Sequence, residues 1–300
     1  MRVFVTGSTG FIGSRLVPEL LQAGHRVLGL TRSDAGADAL AAAGAEAHRG
    51  DLTDLSSLRE GADKADAVVH CAFDHVFTDF NSFIANCEKD RKAIGALAEG
   101  LGASGRPMVI TSGVGLGTPP DGGPAVEQVF DTHHPNPRIA TELAGQAALQ
   151  AGVNVSVMRL PQVHDTVKQG LITPLVAIAR EKGVSPYVGE GANRWSAGHV
   201  DDVARLYRLA VEAGKPGARY NAVGEEGVSL RRIAETVGRG LGVPSRSVSR
   251  EEAAAHFGWM AAFASMDMAA SSAWTRQHFG WTPSGPDLIA DLEAMTYQAS

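Results

Sequence analysis

Residues Arg2-Val3-Phe4-Val5-Thr6-Gly7-Ser8-Thr9-Gly10-Phe11-Ile12-Gly13 open the chain, and their reading decides the fold. The apolar run Val3 to Val5 predicts a fully buried strand. It breaks at a glycine-punctuated turn and resumes with the apolar periodicity of a helix. The glycines stand three residues apart, at positions 7, 10 and 13. In a strand–turn–helix unit the first glycine permits the tight turn and the second lets backbone approach a pyrophosphate. The third lets the helix pack closely on the strand. The new helix then presents unpaired N–H groups and its positive dipole end to the phosphates. Gly7, Thr9, Gly10, Phe11, Ile12 and Gly13 are therefore candidates for dinucleotide contact.

The rest of the chain is compatible with that start. Its 300 residues can form one large domain or two of ordinary size, each with a full core. A hydrophobic content of 44% and a charged content of 20% are those of an ordinary globular protein. The net charge of −6 and the lack of a basic run give neither nucleic acid nor an anionic membrane a surface to bind. Two cysteines, Cys71 and Cys87, make no disulfide framework and suit a reducing cytosol. The chain starts directly in a strand with no signal-peptide pattern, and no apolar run reaches spanning length. The expectation is a cytoplasmic protein.

Taken in order, Ile12 to Ala23 predicts a helix interrupted by Pro18, which should weaken or kink it. Arg26 to Leu30 is a second strand and Ala35 to Ala43 a second helix. Glu46 to Arg49 is a third strand, followed by a helix capped by Thr53 or Asp54. Ala67 to Cys71 is a fourth strand, Asp79 to Leu101 a long helix and Met108 to Thr111 a fifth strand. A Gly/Pro-rich loop precedes a helix at Arg138 to Ala151, and Val153 to Leu160 is a sixth strand. Such β-α alternation predicts an α/β fold with a doubly wound parallel sheet, strand order 3-2-1-4-5-6.

Beyond Pro161 the pattern becomes mostly helical, with helices at 171–182, 200–213, 230–241 and 287–297 and a seventh strand near 220. The expected division is residues 1–165 for dinucleotide binding and 166–300 for a smaller substrate-side subdomain interleaved with it. The aromatic and methionine residues between His256 and Trp281 are either ordinary core or a lid over the substrate.

The end of the second strand decides the dinucleotide. A carboxylate there bonds the ribose 2′-hydroxyl of NAD, whereas arginine accommodates the 2′-phosphate of NADP. The chain reads Leu30-Thr31-Arg32-Ser33, which favours NADP, with Thr31 and Ser33 as hydroxyl partners. Stacking of Arg32 on adenine is the alternative. Asp51 and Leu52, after the third strand, can reach adenine, and Asp51 can also cap the next helix.

With these residues placed, the chain resembles an extended or atypical short-chain dehydrogenase/reductase of the NAD(P)-dependent epimerase/dehydratase kind, a Rossmann fold. The glycine loop from Thr6 to Gly13 matches its T-G-x-x-G-x-x-G. Gly50-Asp51-Leu52, Val69-His70-Cys71-Ala72, Thr111-Ser112-Gly113, Arg159-Leu160-Pro161 and His199-Val200-Asp201-Asp202-Val203-Ala204 resemble its later motifs. The resemblance implies that Cys71, Ala72, Thr111 and Pro161 lie along the cofactor. It also implies dimerisation through helices 79–101 and 138–151.

One departure matters for chemistry. The family uses Tyr-x-x-x-Lys, in which tyrosine moves the substrate proton and lysine lowers its pKa. Here these positions fall on Arg138 and Glu142. None of the four tyrosines, Tyr187, Tyr207, Tyr220 and Tyr297, lies in that helix. The remaining catalytic candidates are Ser112, His75 and Arg138. Ser112 can bond a substrate carbonyl or cap a turn. His75 can donate a proton or simply be solvated. Arg138 cannot be a base but can stabilise an oxyanion, bind a carboxylate or pair with Glu142. His133, His134 and His164 are read as loop histidines, and no metal-ligand spacing appears.

The functional expectation is an NADPH-dependent oxidoreductase reducing a small carbonyl, imine or activated C=C substrate. The missing tyrosine raises the standing of C=N and C=C reduction over that of ketones. A non-catalytic NADP(H) redox sensor is the alternative, and a non-redox epimerase or isomerase a third.

Overall fold

A computed structural model describes residues 1–75 and 79–297. Strand β1 (Arg2–Thr6) passes through the glycine turn into α1 (Gly13–Gln22), which continues through Pro18. There follow β2 (Arg26–Thr31), α2 (Asp34–Ala42), β3 (Glu46–Arg49), α3 (Leu55–Asp63) and β4 (Ala67–His70). Next come α4 (Phe80–Leu101), β5 (Pro107–Gly113), α5 (Ile139–Gln150) and β6 (Asn154–Leu160). Short polar side chains start several of the helices. Ser33 caps α2, Asp54 caps α3, and Asp79 forms a reciprocal capping box with Ser82 at α4.

The second half contains β7 (Gln162–His164), α6 (Ile172–Lys182), β8 (Ser185–Val188), β9 (Arg194–His199) and α7 (Val200–Ala213). It continues with β10 (Arg219–Asn221), β11 (Glu225–Ser229), α8 (Leu230–Leu241), β12 (Ser245–Val248) and α9 (Arg250–Phe257). The last helices are α10 (Ala261–Ala264), α11 (Ala273–Phe279) and α12 (Leu288–Ala294).

The main sheet has seven strands in the order β3-β2-β1-β4-β5-β6-β10, all parallel. The expected doubly wound order is therefore observed, with the strand near 220 added outside β6. Both faces are covered, so the strands are apolar on both sides. Val3 and Val5 face one core with α1 and α7, while Phe4 faces the other with α3 and α4. A third core joins α6, α8, α9 and α12. No described helix is long and apolar enough to cross a membrane.

The stretch from His256 to Trp281 does not gather into one lid. Phe257 and Met260 enter the third core, and Trp281 enters the core beneath α1 and α7. Trp259 and Met266 are exposed. This is the ordinary-core arrangement, divided between two cores. Small strands that sequence periodicity did not mark, β7, β9 and β11, form a separate three-stranded sheet. They are short and irregular, with a register shift between Glu225 and Val228, so no period-2 pattern builds up.

Candidate active site

The glycine turn has the geometry that its spacing requires. Gly7 takes φ +67°, and a Cβ there would stand 2.9 Å from the Ala72 nitrogen. A Cβ on Gly13 would stand 2.0 Å from the Gly7 carbonyl oxygen, so α1 seats directly on the turn. Ser8 donates to the Leu30 carbonyl (2.9 Å) and ties the turn to β2. The Ser14 N–H returns to Gly10 O (2.8 Å), whereas among the described residues the Phe11 and Ile12 N–H groups make no hydrogen bond. Unpaired donors at a helix start, beside a backbone cleared of side chains, fit a dinucleotide pyrophosphate.

At the end of β2, Arg32 is exposed and has no ion pair among the described residues. The neighbouring carboxylate, Asp34, is bridged to Arg49 at 3.0 Å. Ser33 is engaged as the cap of α2, accepting from the Gly36 N–H (3.1 Å), and Thr31 is buried with its hydroxyl 3.4 Å from the Ser33 carbonyl. Of the three residues expected to meet a 2′-phosphate, Arg32 is the one left uncommitted. Asp51 does not cap α3, because Asp54 does. Asp51 instead accepts from the Thr53 hydroxyl and N–H (2.6 and 2.7 Å), which hold its carboxyl below the usual range. Leu52 is half-buried against the core under α3 and α4.

At the ends of β4 and β5 the backbone is fixed from below. Thr111 Oγ1 donates to the His70 carbonyl (2.6 Å) and lies 2.6 Å from the Tyr207 hydroxyl of α7. Tyr207 is wholly buried, and burial raises its pKa well above 10, so it cannot replace the missing tyrosine. Burial likewise pushes the Cys71 thiol up to about 12, which leaves it an inert packing group. Pro161 is buried at the end of β6.

The Tyr-x-x-x-Lys positions carry two separate buried ion clusters. Glu142 receives the Ser112 hydroxyl (3.0 Å), two nitrogens of Arg159 (2.8 and 2.9 Å) and Arg219 Nε (2.8 Å). Burial alone would raise the Glu142 pKa, but the two guanidinium groups prevail and hold it below the ordinary value. Arg159 also reaches the carbonyls of Val126 and Val129, so this cluster fastens the Gly/Pro-rich loop. The one Ser112 proton is spent on Glu142, and Ser112 is a member of this structural cluster.

Arg138 does not pair with Glu142. It donates to Asp90 Oδ2 of α4 (2.8 Å) and to the Thr111 carbonyl (2.9 Å), with its guanidinium 3.7 Å from the centre of the Phe73 ring. Asp90 also accepts from the Thr141 hydroxyl (2.5 Å) and lies 3.0 Å from His70 Nε2. His70 Nδ1 is 2.7 Å from Thr6 Oγ1. Sequence reasoning missed Asp90 and His70 because their partners lie on other elements. The one available signal was a carboxylate and an imidazole at positions that the sheet order buries.

His75 is exposed, with Nδ1 3.1 Å from the Phe73 carbonyl. Local desolvation, then the charges of Arg138 and Lys168, hold its pKa below 6.5, which disfavours the imidazolium that a proton donor needs. His133 and His134 are loop residues, as expected. His164 is not, since it lies fully buried on β7 with Nδ1 2.7 Å from Asp291. Among the described residues no cluster of His, Cys, Asp and Glu could hold a metal ion.

A doubly wound sheet with a cleared glycine turn and a charged site at the start of α5 defines a dinucleotide-binding protein of the short-chain dehydrogenase type. The chain belongs to the NAD dependent epimerase/dehydratase family, whose family model matches residues 3–223. It is 40% identical to an uncharacterized protein of Schizosaccharomyces pombe, over 99% of this chain and 100% of that one. It is 30% identical to UDP-glucose 4-epimerase of Streptomyces lividans (100% and 96% covered). It is 28% identical to 2-alkyl-3-oxoalkanoate reductase of Stenotrophomonas maltophilia (81% and 77% covered). Among solved structures, dTDP-glucose 4,6-dehydratase from Streptomyces venezuelae with NAD and TYD bound superposes with a TM-score of 0.76. That match has 21% identity and covers 99% of this chain and 96% of the other, a likeness of fold.

Proposed function

We propose that the protein is an NADPH-dependent reductase of a small organic carbonyl, imine or activated C=C compound. In this reading Arg138 holds the reacting heteroatom where the family carries tyrosine. The observation that carries it is the guanidinium itself, only partly exposed and fixed by Asp90, the Thr111 carbonyl and the Phe73 ring. Of the five N–H donors of a guanidinium, these contacts use two, leaving the others for a developing oxyanion or enolate oxygen. When bound, NADPH supplies the hydride.

An arginine keeps its charge and delivers no proton in the tyrosine manner. A protonated imine arrives with its proton but has no lone pair for Arg138 to hold, whereas an enone oxygen accepts from the guanidinium and the released enolate is protonated by water, so C=C substrates suit the site best. Epimerisation needs a base at this position, which arginine is not. The choice of NADPH rests on Arg32, which has no ion pair among the described residues, beside an Asp34 already bridged to Arg49. The Stenotrophomonas relative is a reductase by name, which agrees with this direction. A cytosolic homodimer fits the same reading, since Phe80, Ile84 and Leu143 are exposed on α4 and α5.

The test is NADPH and NADH oxidation with a panel of ketones, enones and cyclic imines. Turnover of enones is expected, with NADPH preferred by about tenfold or more, as one charge-assisted hydrogen bond provides. Arg32→Ala should abolish the preference. Tight NADPH binding without turnover of any class overturns the enzyme reading in favour of a redox sensor.

A further inference from the structure

Behind Arg138 a chain of buried side chains leads to the residue that precedes the glycine turn. The Ala72 N–H donates to Thr6 Oγ1 (3.3 Å), and Thr6 Oγ1 lies 2.7 Å from His70 Nδ1. His70 Nε2 lies 3.0 Å from Asp90 Oδ1, and Asp90 Oδ2 accepts from Thr141 and Arg138. The donor directions follow from these pairs. Arg138 and the Ala72 N–H can only donate; with Asp90 ionised against Arg138, its contact with His70 requires an Nε2–H donor, and Nδ1 of the neutral ring then accepts the one Thr6 proton. His70 then carries its proton on Nε2 and donates it to Asp90. Asp90 thus accepts three hydrogen bonds and donates none. Burial would raise its pKa, but Arg138, His70 and Thr141 hold it below the ordinary value.

Thr6, His70 and Asp90 stand in the order of a nucleophilic triad, yet they cannot act as one. Thr6 and His70 are wholly buried, so no substrate reaches the hydroxyl. Arg138 is the one charged member of the chain with an accessible face, its side chain being 14% exposed against 1% for Asp90. One end of the chain is Arg138; the other is the backbone of the half-buried Ala72, which carries no titratable group.

We propose that Asp90 is a positioning residue for Arg138, its ionised carboxylate fixing one guanidinium nitrogen so that the remaining donors are held for the substrate oxygen. This rests on the reductase reading. Partners that orient metal-bound side chains are worth about ten- to a hundredfold in activity, and an effect of that order is expected for a carboxylate that orients Arg138. The same carboxylate joins α4, α5 and β4. The test must therefore separate an effect through Arg138 from a general loss of fold.

Asp90→Asn keeps the shape and removes the charge. With an enone substrate its kcat should fall about ten- to a hundredfold, while NADPH affinity changes less than about twofold, since no cofactor contact is removed. In an Arg138→Met background the same substitution should cost less than about twofold more, because its route of action is gone. Full multiplication of the two losses overturns the proposal. An independent measurement is labelling of Arg138 by phenylglyoxal in the protein without NADPH, read by peptide mass spectrometry. Asp90→Asn should speed labelling about tenfold or more, as loss of a buried charge partner implies; unchanged labelling overturns the proposal with or without turnover. Faster labelling in a protein that turns nothing over leaves the pairing standing and overturns the reductase reading alone. Where Asp90→Asn does not fold, Thr141→Val removes one donor to Asp90 and should shift both readouts in the same direction by less.

Discussion

The glycine turn and the start of α5 meet at the carboxyl edge of the same sheet, and they are built in opposite ways. From Gly7 to Gly13 the chain clears side chains away and offers backbone: a left-handed glycine, a helix seated on a carbonyl, and N–H groups at Phe11 and Ile12 that are unpaired among the described residues. Around α5 the backbone is hidden and side chains do the work. Glu142 binds Arg159, Arg219 and Ser112, while Arg138 binds Asp90. The first construction tolerates many reactions because it recognises the part of the cofactor that does not react. The second departs from the Tyr-x-x-x-Lys pattern, because arginine and glutamate in place of tyrosine and lysine reverse the charge at one position. The surrounding charges are arranged to match.

The sharpest way to break this comparison is to restore the family pair. Glu142→Lys, alone or with Arg138→Tyr, places an ammonium between Arg159 and Arg219 where a carboxylate had paired with both. Glu142 and Arg159 are fully buried. Breaking such a pair costs about 3–5 kcal/mol by leaving a charge uncompensated, and adding a like charge costs more. Glu142→Lys should therefore fail to fold or melt far below the wild type in a thermal scan. A folded Glu142→Lys protein with gained ketone reductase activity would mean that the cluster is not structural.

At the other end, Gly13→Ala tests the backbone construction. Its Cβ would meet the Gly7 carbonyl at 2.0 Å, and since that atom is main chain, the turn itself must move. Loss of NADPH binding by about a hundredfold is expected, equivalent to about 2.7 kcal/mol, measured by fluorescence titration. Stability should fall less than with Glu142→Lys, because no buried charge is left unpaired. Intact binding would mean that the third glycine does not govern the phosphate site.

The two constructions also differ in how far sequence discloses them. The glycine turn is local: its partners lie within a few residues, so spacing alone announces it, and the alternating strands and helices announce the sheet. The end of β2 is similar, although only the structure shows that Ser33 is spent as a cap. The clusters at α5 are non-local. Asp90 finds Arg138 across 48 residues and Glu142 finds Arg219 across 77. No periodicity encodes such a meeting. Sequence could show that tyrosine and lysine were absent, but not that Ser112 had turned to Glu142 or that Arg138 had chosen Asp90. His164 failed for a related reason: β7 is three residues long, too short to read as a strand.

That histidine supplies the smallest test, one that bears on neither construction and so bounds them both. His164 donates Nδ1–H to Asp291 of α12 and is left with a buried Nε2 that has no partner among the described residues. Burial lowers its pKa below 6.5, against the opposing pull of Asp291 and with a contribution from His199. Between that lowered value and 6.5 the unfolded chain binds more protons than the folded one. Stability therefore rises with pH up to 6.5 and is lost as pH falls through this window. Glu142 and Asp90, both held below their ordinary values of 4.5 and 3.8, begin to lose their contributions only at lower pH. His164→Asn keeps an N–H for Asp291 and removes the titrating ring. Its melting temperature at pH 7.5 should lie below the wild type by a few degrees, as about 1 kcal/mol implies, and the gap should narrow towards pH 5. His75, His256 and His278 have lowered pKa values too, but they are common to both proteins and cancel in the difference. A gap that stays constant from pH 7.5 to 5 would remove His164 from the acid response. Acid loss of stability above pH 4.5 would then belong to the other histidines.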